Sequence, residues 1–116
     1  LILLRMEASK ALRAEPARLT ELFVTEMDGT LRQQGVGDLV VGKRVGKLMS
    51  ALGGRIEAYR SGLASNDASV LEDAVRRNVT FTETGDLAWI ATEVSRLAAA
   101  LAETDDASLL AGRIAR

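Results

Sequence analysis

Apolar side chains recur at three- and four-residue spacings along nearly the whole chain, and alternation with a period of two is almost absent. A backbone patterned this way buries one face per helix and cannot present the alternating faces of a sheet, so the expected class is all-α. Eighteen alanines and a single proline agree with this, because alanine is the best helix former and proline the worst. The 116 residues, 47% of them hydrophobic and 27% charged, suit one domain with a single core.

The breaks in the pattern divide the chain. Leu1, Leu4, Ala8, Ala11 and Leu12 share a face, so residues 1 to 14 read as one amphipathic helix ending near Glu15-Pro16. Pro16 suits the first turn of a second helix, which runs to Gln34 with Leu19, Leu22, Phe23, Met27 and Leu31 as its apolar stripe. Gly35 stands where a helix terminates in the left-handed conformation, and Gly35-Val36-Gly37 is the turn. Asp38 is the expected N-cap of a third helix reaching Ala64, with a turn at Ser65-Asn66-Asp67. Ala68 to Asn78 forms a fourth helix and Thr80 to Gly85 a loop. Asp86 or Thr84 caps a fifth helix from Leu87 to about Ala102, and Thr104 or Asp105 opens a short last one. The expectation is a single compact domain of five to six helices with one long central helix that contains glycines. The chain starts inside an apolar run and without Met, which reads as a trimmed N-terminus. No apolar run, neither Leu1 to Leu4 nor Leu97 to Ala102, approaches the roughly 20 residues that cross a bilayer.

Composition narrows the chemistry. With no His and no Cys there is no thiolate nucleophile, no Ser-His-Asp triad and no zinc or haem site of the usual ligands. The acidic pairs Glu72-Asp73 and Asp105-Asp106 are neighbours on a helix and diverge by about 100°, so they do not converge on one proton or metal. Gly42-Lys43 fails as a phosphate loop, because Gly37 is followed by Asp-Leu-Val-Val and Arg44 replaces the required Ser or Thr. No cofactor is expected, and an enzyme is the least favoured class. The absence of disulfides fits a reducing compartment, here the cytoplasm. A net charge of −1 argues against whole-surface binding to nucleic acid and leaves room for a local basic patch.

The third helix carries such a patch. Val41, Val45, Leu48, Met49, Leu52, Ile56, Tyr59 and Leu63 form its core stripe. Beside that stripe Gly42, Gly46, Ser50 and Gly53, with Gly54 a little further round, make a strip without bulky side chains. Interior glycines cost about 1 kcal/mol each relative to alanine, so four of them require a compensating role. Two roles are open: close approach of another helix, from this chain or a partner, or a kink or boundary at Gly53-Gly54. Lys43, Arg44, Lys47 and Arg55 lie on the side away from the core, either as a solvated face or as a dock for phosphate-bearing surfaces or an acidic partner. No aromatic residue interleaves with them, so base stacking is not suggested. Trp89 lies opposite the stripe that buries the fifth helix and is either a cover for residues of this protein or a partner contact. Asn78 reads as a C-terminal cap, and Arg76 and Arg77 suit the negative end of the fourth helix's dipole.

The stretch Gly35-Val36-Gly37-Asp38-Leu39-Val40-Val41-Gly42-Lys43-Arg44-Val45, with Gly54-Arg55-Ile56-Glu57-Ala58-Tyr59 and Arg77-Asn78-Val79, resembles the ubiquinol-cytochrome c chaperone family, and a bacterial, alphaproteobacterial member of it. The resemblance runs from residue 1 to about 82 and is weak in the tail. It implies a non-enzymatic assembly factor for the cytochrome bc1 complex that engages newly made cytochrome b, with a second assembly subunit and a ribosome or membrane surface as further partners. It places the protein at the periphery of the inner membrane, with no sequence-specific nucleic acid as partner. Gly35, Gly37, Asp38, Gly42, Lys43, Arg44, Gly54, Arg55, Tyr59, Arg77 and Asn78 are the motif-matching positions. Gly46, Lys47 and Trp89 join them as partner-binding candidates from the helix patterns alone. Where the family has an aromatic residue before the motif glycine this chain has Gly53, and where a Tyr follows Asn-Val it has Thr80. The alternative reading is a helical scaffold or homodimerisation domain without a bc1-specific client, and the oligomeric state is open.

Overall fold

A computed structural model describes residues 1–82 and 84–114. It is 78% helical and has no strand among the described residues. Six helices follow in order: α1 (Ile2–Glu7), α2 (Glu15–Gln33), α3 (Asp38–Ala64), α4 (Ala68–Asn78), α5 (Leu87–Glu103) and α6 (Asp106–Leu110), with a 3₁₀ turn at Lys10–Leu12. The all-α expectation and the long central helix are both observed.

The first expected helix is two pieces. α1 stops at Glu7, and Ser9 adopts an extended backbone before the 3₁₀ turn. The cause lies almost a hundred residues away. Arg5 donates through Nε to the Leu101 carbonyl (2.9 Å) and through Nη2 to the Thr104 carbonyl (2.7 Å) and Asp106 (2.8 Å), while Ser9 Oγ donates to the other Asp106 oxygen (2.7 Å). Those bonds tie the chain's beginning to the α5–α6 corner. Ser9 and Arg5 hold Asp106 below the usual carboxylate range, Ser9 being the larger cause.

Helix ends otherwise follow local chemistry. α2 closes in a Schellman pattern, in which the Gly35 N–H donates to Arg32 and the Val36 N–H to Leu31 (3.0 and 3.1 Å), with Gly35 at φ +79°. Gly37, not Asp38, is the N-cap of α3. Asp38 lies inside the first turn, and its carboxylate is taken by Arg32 across the turn. Asp67, Asp86 and Asp105 cap α4, α5 and α6 by accepting the backbone N–H of Ser69, Trp89 and Ser108 at 2.9 to 3.0 Å.

Two small cores hold the helices. Met6, Leu12, Leu101 and Leu109 form one, sealed by Leu1 and Ile114. Leu71, Val75 and Ala91 form the other, with Tyr59, Leu63, Val79, Phe81, Leu87, Ile90 and Val94 against it. α5 joins them, supplying Ala91 to one and Leu101 to the other. α3 packs most extensively on α4. Gly62 makes that closeness possible: a Cβ there would lie 2.9 Å from the Leu71 Cα.

The α2–α3 hairpin is barely buried. α2 has no fully buried residue in 19, and in the N-terminal half of α3 only Val41 is enclosed. The molecule measures 44 × 40 × 22 Å, a slab with a radius of gyration of 16.1 Å where roughly 13 Å is usual for this length. Its accessible surface of 8050 Å² is about a third above the roughly 6,100 Å² expected of a compact 12.4 kDa monomer.

Candidate functional site

α3 runs as one helix through Gly53-Gly54, so the glycines do not mark a helix boundary. Nor, among the described residues, does any part of this chain pack on them. A Cβ built at Gly42, Gly46, Gly53 or Gly54 would meet no atom within 4 Å. Ser50 is exposed between them. The internal-packing reading of this strip therefore fails, and a shallow furrow about three turns long lies open on the central helix.

Lys43, Arg44, Lys47 and Arg55 are all exposed, and among the described residues none of them forms an ion pair. Five surface arginines elsewhere behave differently. Arg18, Arg32, Arg60, Arg76 and Arg96 each hold a carboxylate, and the hydrogen bonds of Asp28 and then Asp38 keep the Arg32 guanidinium above its ordinary value. The four unpaired cations of α3 share one face of a single helix, whereas the other unpaired surface cations among the described residues, Lys10, Arg13, Arg77 and Arg113, are spread over other elements.

The stripe predicted as the core face of α3 does point inward, but it is shallow. Val41 is 1% exposed, Val45, Met49, Leu52, Ile56, Tyr59 and Leu63 are half-buried, and Leu48 is exposed. Tyr59 belongs to the second core.

The remaining candidates divide by their contacts. Gly35 and Gly37 shape the hairpin turn, and Asp38 pins it through Arg32. Asn78 Nδ2 donates to the Ala74 carbonyl (2.8 Å) and Arg77 Nε to the Asp73 carbonyl (3.2 Å), so both bond back one turn within α4, and the C-terminal cap expected at Asn78 falls instead on Val79, whose N–H donates to the Val75 carbonyl. Trp89 is 63% exposed in the first turn of α5, on the side away from the cores. The structure brings Gly42, Lys43, Arg44, Gly46, Lys47, Gly54 and Arg55 onto one helix, and places Arg77, Asn78 and Trp89 on others.

Concave features are modest. A recess of about 360 Å³ between the end of α3, α4 and α5 is lined by Gly62, Leu71, Glu72, Ala88 and Thr92 among others, with one carboxylate and no base to work with it. Among the described residues no three acidic side chains gather.

Sequence reasoning missed two exposed apolar groups. Leu22 on α2 is 64% exposed although it belongs to the expected stripe, and Leu39 at the start of α3 is 94% exposed. The second was visible in the sequence as an apolar residue in the glycine strip's own sector.

Comparison with known proteins places the chain in a family. A family model described as ubiquinol-cytochrome C chaperone matches residues 1–116, so the likeness extends through the tail that read as weak in the sequence. No protein among the curated sequences matches the chain. A crystal structure of the Cbp3 homolog from Brucella abortus, an alphaproteobacterium, is 33% identical and superposes with a TM-score of 0.76 over 97% of this chain. The chain spans 64% of the length of that structure. No helix among the described residues is long and apolar enough to cross a membrane. With its full length matched and the helical arrangement shared, the chain belongs to the ubiquinol-cytochrome c chaperone family.

Proposed function

We propose that these 116 residues act as one helical, non-enzymatic chaperone domain in assembly of the cytochrome bc1 complex, binding newly made cytochrome b at the periphery of the inner membrane on its cytoplasmic side. The family match supports the assembly role. The observation that carries the binding reading is the open glycine strip of α3. Interior glycines that none of the described residues contacts reduce helix stability, and the compensation is sought outside the chain. A furrow of small residues accepts a client helix that supplies the bulk itself, as small-residue faces do between transmembrane helices. The excess surface supports a partner too, since a standard interface buries about 1,600 Å² in total. A second assembly subunit has room on the hairpin's unburied α2.

Deletion from the parent cell tests the role. Membranes should lose the bc1 cytochrome spectra and ubiquinol-cytochrome c reductase activity while an unrelated oxidase is unchanged, and a Gly46→Leu gene should fail to restore them. Normal bc1 content in the deletion strain would refute the reading. The open strip also fits a helix from a second copy of this chain. That alternative expects a concentration-dependent dimer and unaffected bc1 levels.

A further inference from the structure

The tip of the α2–α3 hairpin combines two features that oppose each other on an ordinary soluble surface. Leu39 is 94% exposed and Val40 45% exposed in the first turn of α3, directly after the turn that Gly35 and Gly37 form. Four and eight residues on, at spacings that return to the same face, stand Lys43 and Lys47 behind Leu39, and Arg44 and exposed Leu48 behind Val40. Two parallel rows therefore run back from the tip, Leu39-Lys43-Lys47 and Val40-Arg44-Leu48, each mixing apolar and cationic side chains. The three cations lack carboxylate partners among the described residues, whereas Asp38, the acidic group at the tip, is taken by Arg32.

We infer that this hairpin tip docks on a bilayer surface rich in anionic phospholipid, with Leu39 and Val40 entering the acyl boundary and Lys43, Arg44 and Lys47 lying at the headgroup phosphates. The inference rests on the peripheral-membrane part of the function proposed above, but not on its client. Charge complementarity selects an anionic surface. The apolar tip selects lipid over RNA: phosphate contacts would use the cations and leave Leu39 and Val40 in water, and no aromatic side chain stands in either row to stack on bases. Long lysine and arginine stems suit this depth, since they lie along apolar surface with the charge at the phosphate level. With only two to three apolar side chains, the contact is weak and reversible and adds to whatever else holds the protein at the membrane.

Sedimentation of the chain with vesicles tests it, using an equal mixture of phosphatidylglycerol and phosphatidylcholine against phosphatidylcholine alone. Binding is expected to the mixture only. Each basic residue near an anionic surface contributes about fivefold, so Lys43→Ala/Lys47→Ala should weaken binding about 25-fold. Leu39→Ser should weaken it about tenfold at constant ionic strength. Because the chain has no cysteine, an environment-sensitive dye on Leu39→Cys reports this position alone and should shift to the blue on the mixed vesicles. These residues are exposed, so unchanged far-UV circular dichroism is expected in all variants. Equal binding by Leu39→Ser and wild type, no binding to the mixture, or retention on RNA without vesicle binding would overturn the proposal. Vesicle binding without capture of cytochrome b would instead sink the client reading and leave this one standing.

Discussion

The glycines of α3 make a prediction about stability that runs against intuition for a family motif. In Gly42→Ala/Gly46→Ala/Gly53→Ala, each new Cβ enters open space and the helix is already formed around it. Replacing an exposed mid-helix glycine by alanine gains about 1 kcal/mol, mainly by restricting the unfolded chain, so the three together should gain about 3 kcal/mol. At about 2.1 cal/mol/K per residue, unfolding entropy makes 1 kcal/mol worth about 4 °C, and the triple variant should melt about 12 °C higher. Thermal circular dichroism of the purified chain reads this directly. The variant should also lose client capture, because three methyl groups fill the furrow. A melting temperature unchanged or lowered would refute the premise that none of the described residues packs on the strip.

Gly62→Ala gives the opposite sign. Its Cβ would meet the Leu71 backbone, so α4 must shift, at a cost of about 1 to 3 kcal/mol and a corresponding fall in melting temperature. Arg5→Met should cost about 1 to 3 kcal/mol by leaving the Thr104 carbonyl without its Arg5 donor and Asp106 without its cation, while the Leu101 carbonyl keeps the Thr104 N–H, seen as a lower urea midpoint and faster hydrogen exchange in α1. Asp67, Asp105 and Asp106 are all held below their ordinary carboxylate values, chiefly by the hydrogen bonds of Ser69, Ser108 and Ser9 respectively. A depressed folded value stabilises the protein fully above the unfolded value of about 4 and is lost as pH falls through the folded one. Stability should therefore be flat from neutral pH to about 5 and fall below 4, with a shallower acid limb in Asp106→Asn.

What the sequence revealed follows from the range of the forces involved. Gly35, Asp86 and the α3–α4 turn are set by neighbours within a few residues, and each appears where local rules place it. The break after Glu7 depends on Arg5 and Ser9 reaching Asp106, a pairing no local pattern announces. Gly62 falls on the side of α3 that periodicity assigns to the outer face, near Arg44 and Arg55, and becomes core only because α4 folds back over that end. Asp38 falls one residue inside α3, where Gly37 holds the cap position, and its carboxylate bonds Arg32 instead. At the candidate site, the strip and the basic face were legible as patterns on a helical wheel. Periodicity says which side a residue takes but not whether another element covers it, so the openness of the strip and of Leu39 emerged only from the three-dimensional arrangement.

The most direct test of the central claim is capture of cytochrome b. Tagged protein is incubated with detergent-solubilised membranes of the parent cell, and bound cytochrome b is measured by mass spectrometry for the wild type and for Gly46→Leu, whose side chain fills the strip without touching the cores. The account predicts enrichment of cytochrome b over an unrelated helical control with the wild type, and its loss with a folded Gly46→Leu. Equal capture by the two proteins, or none above the control with either, would contradict it.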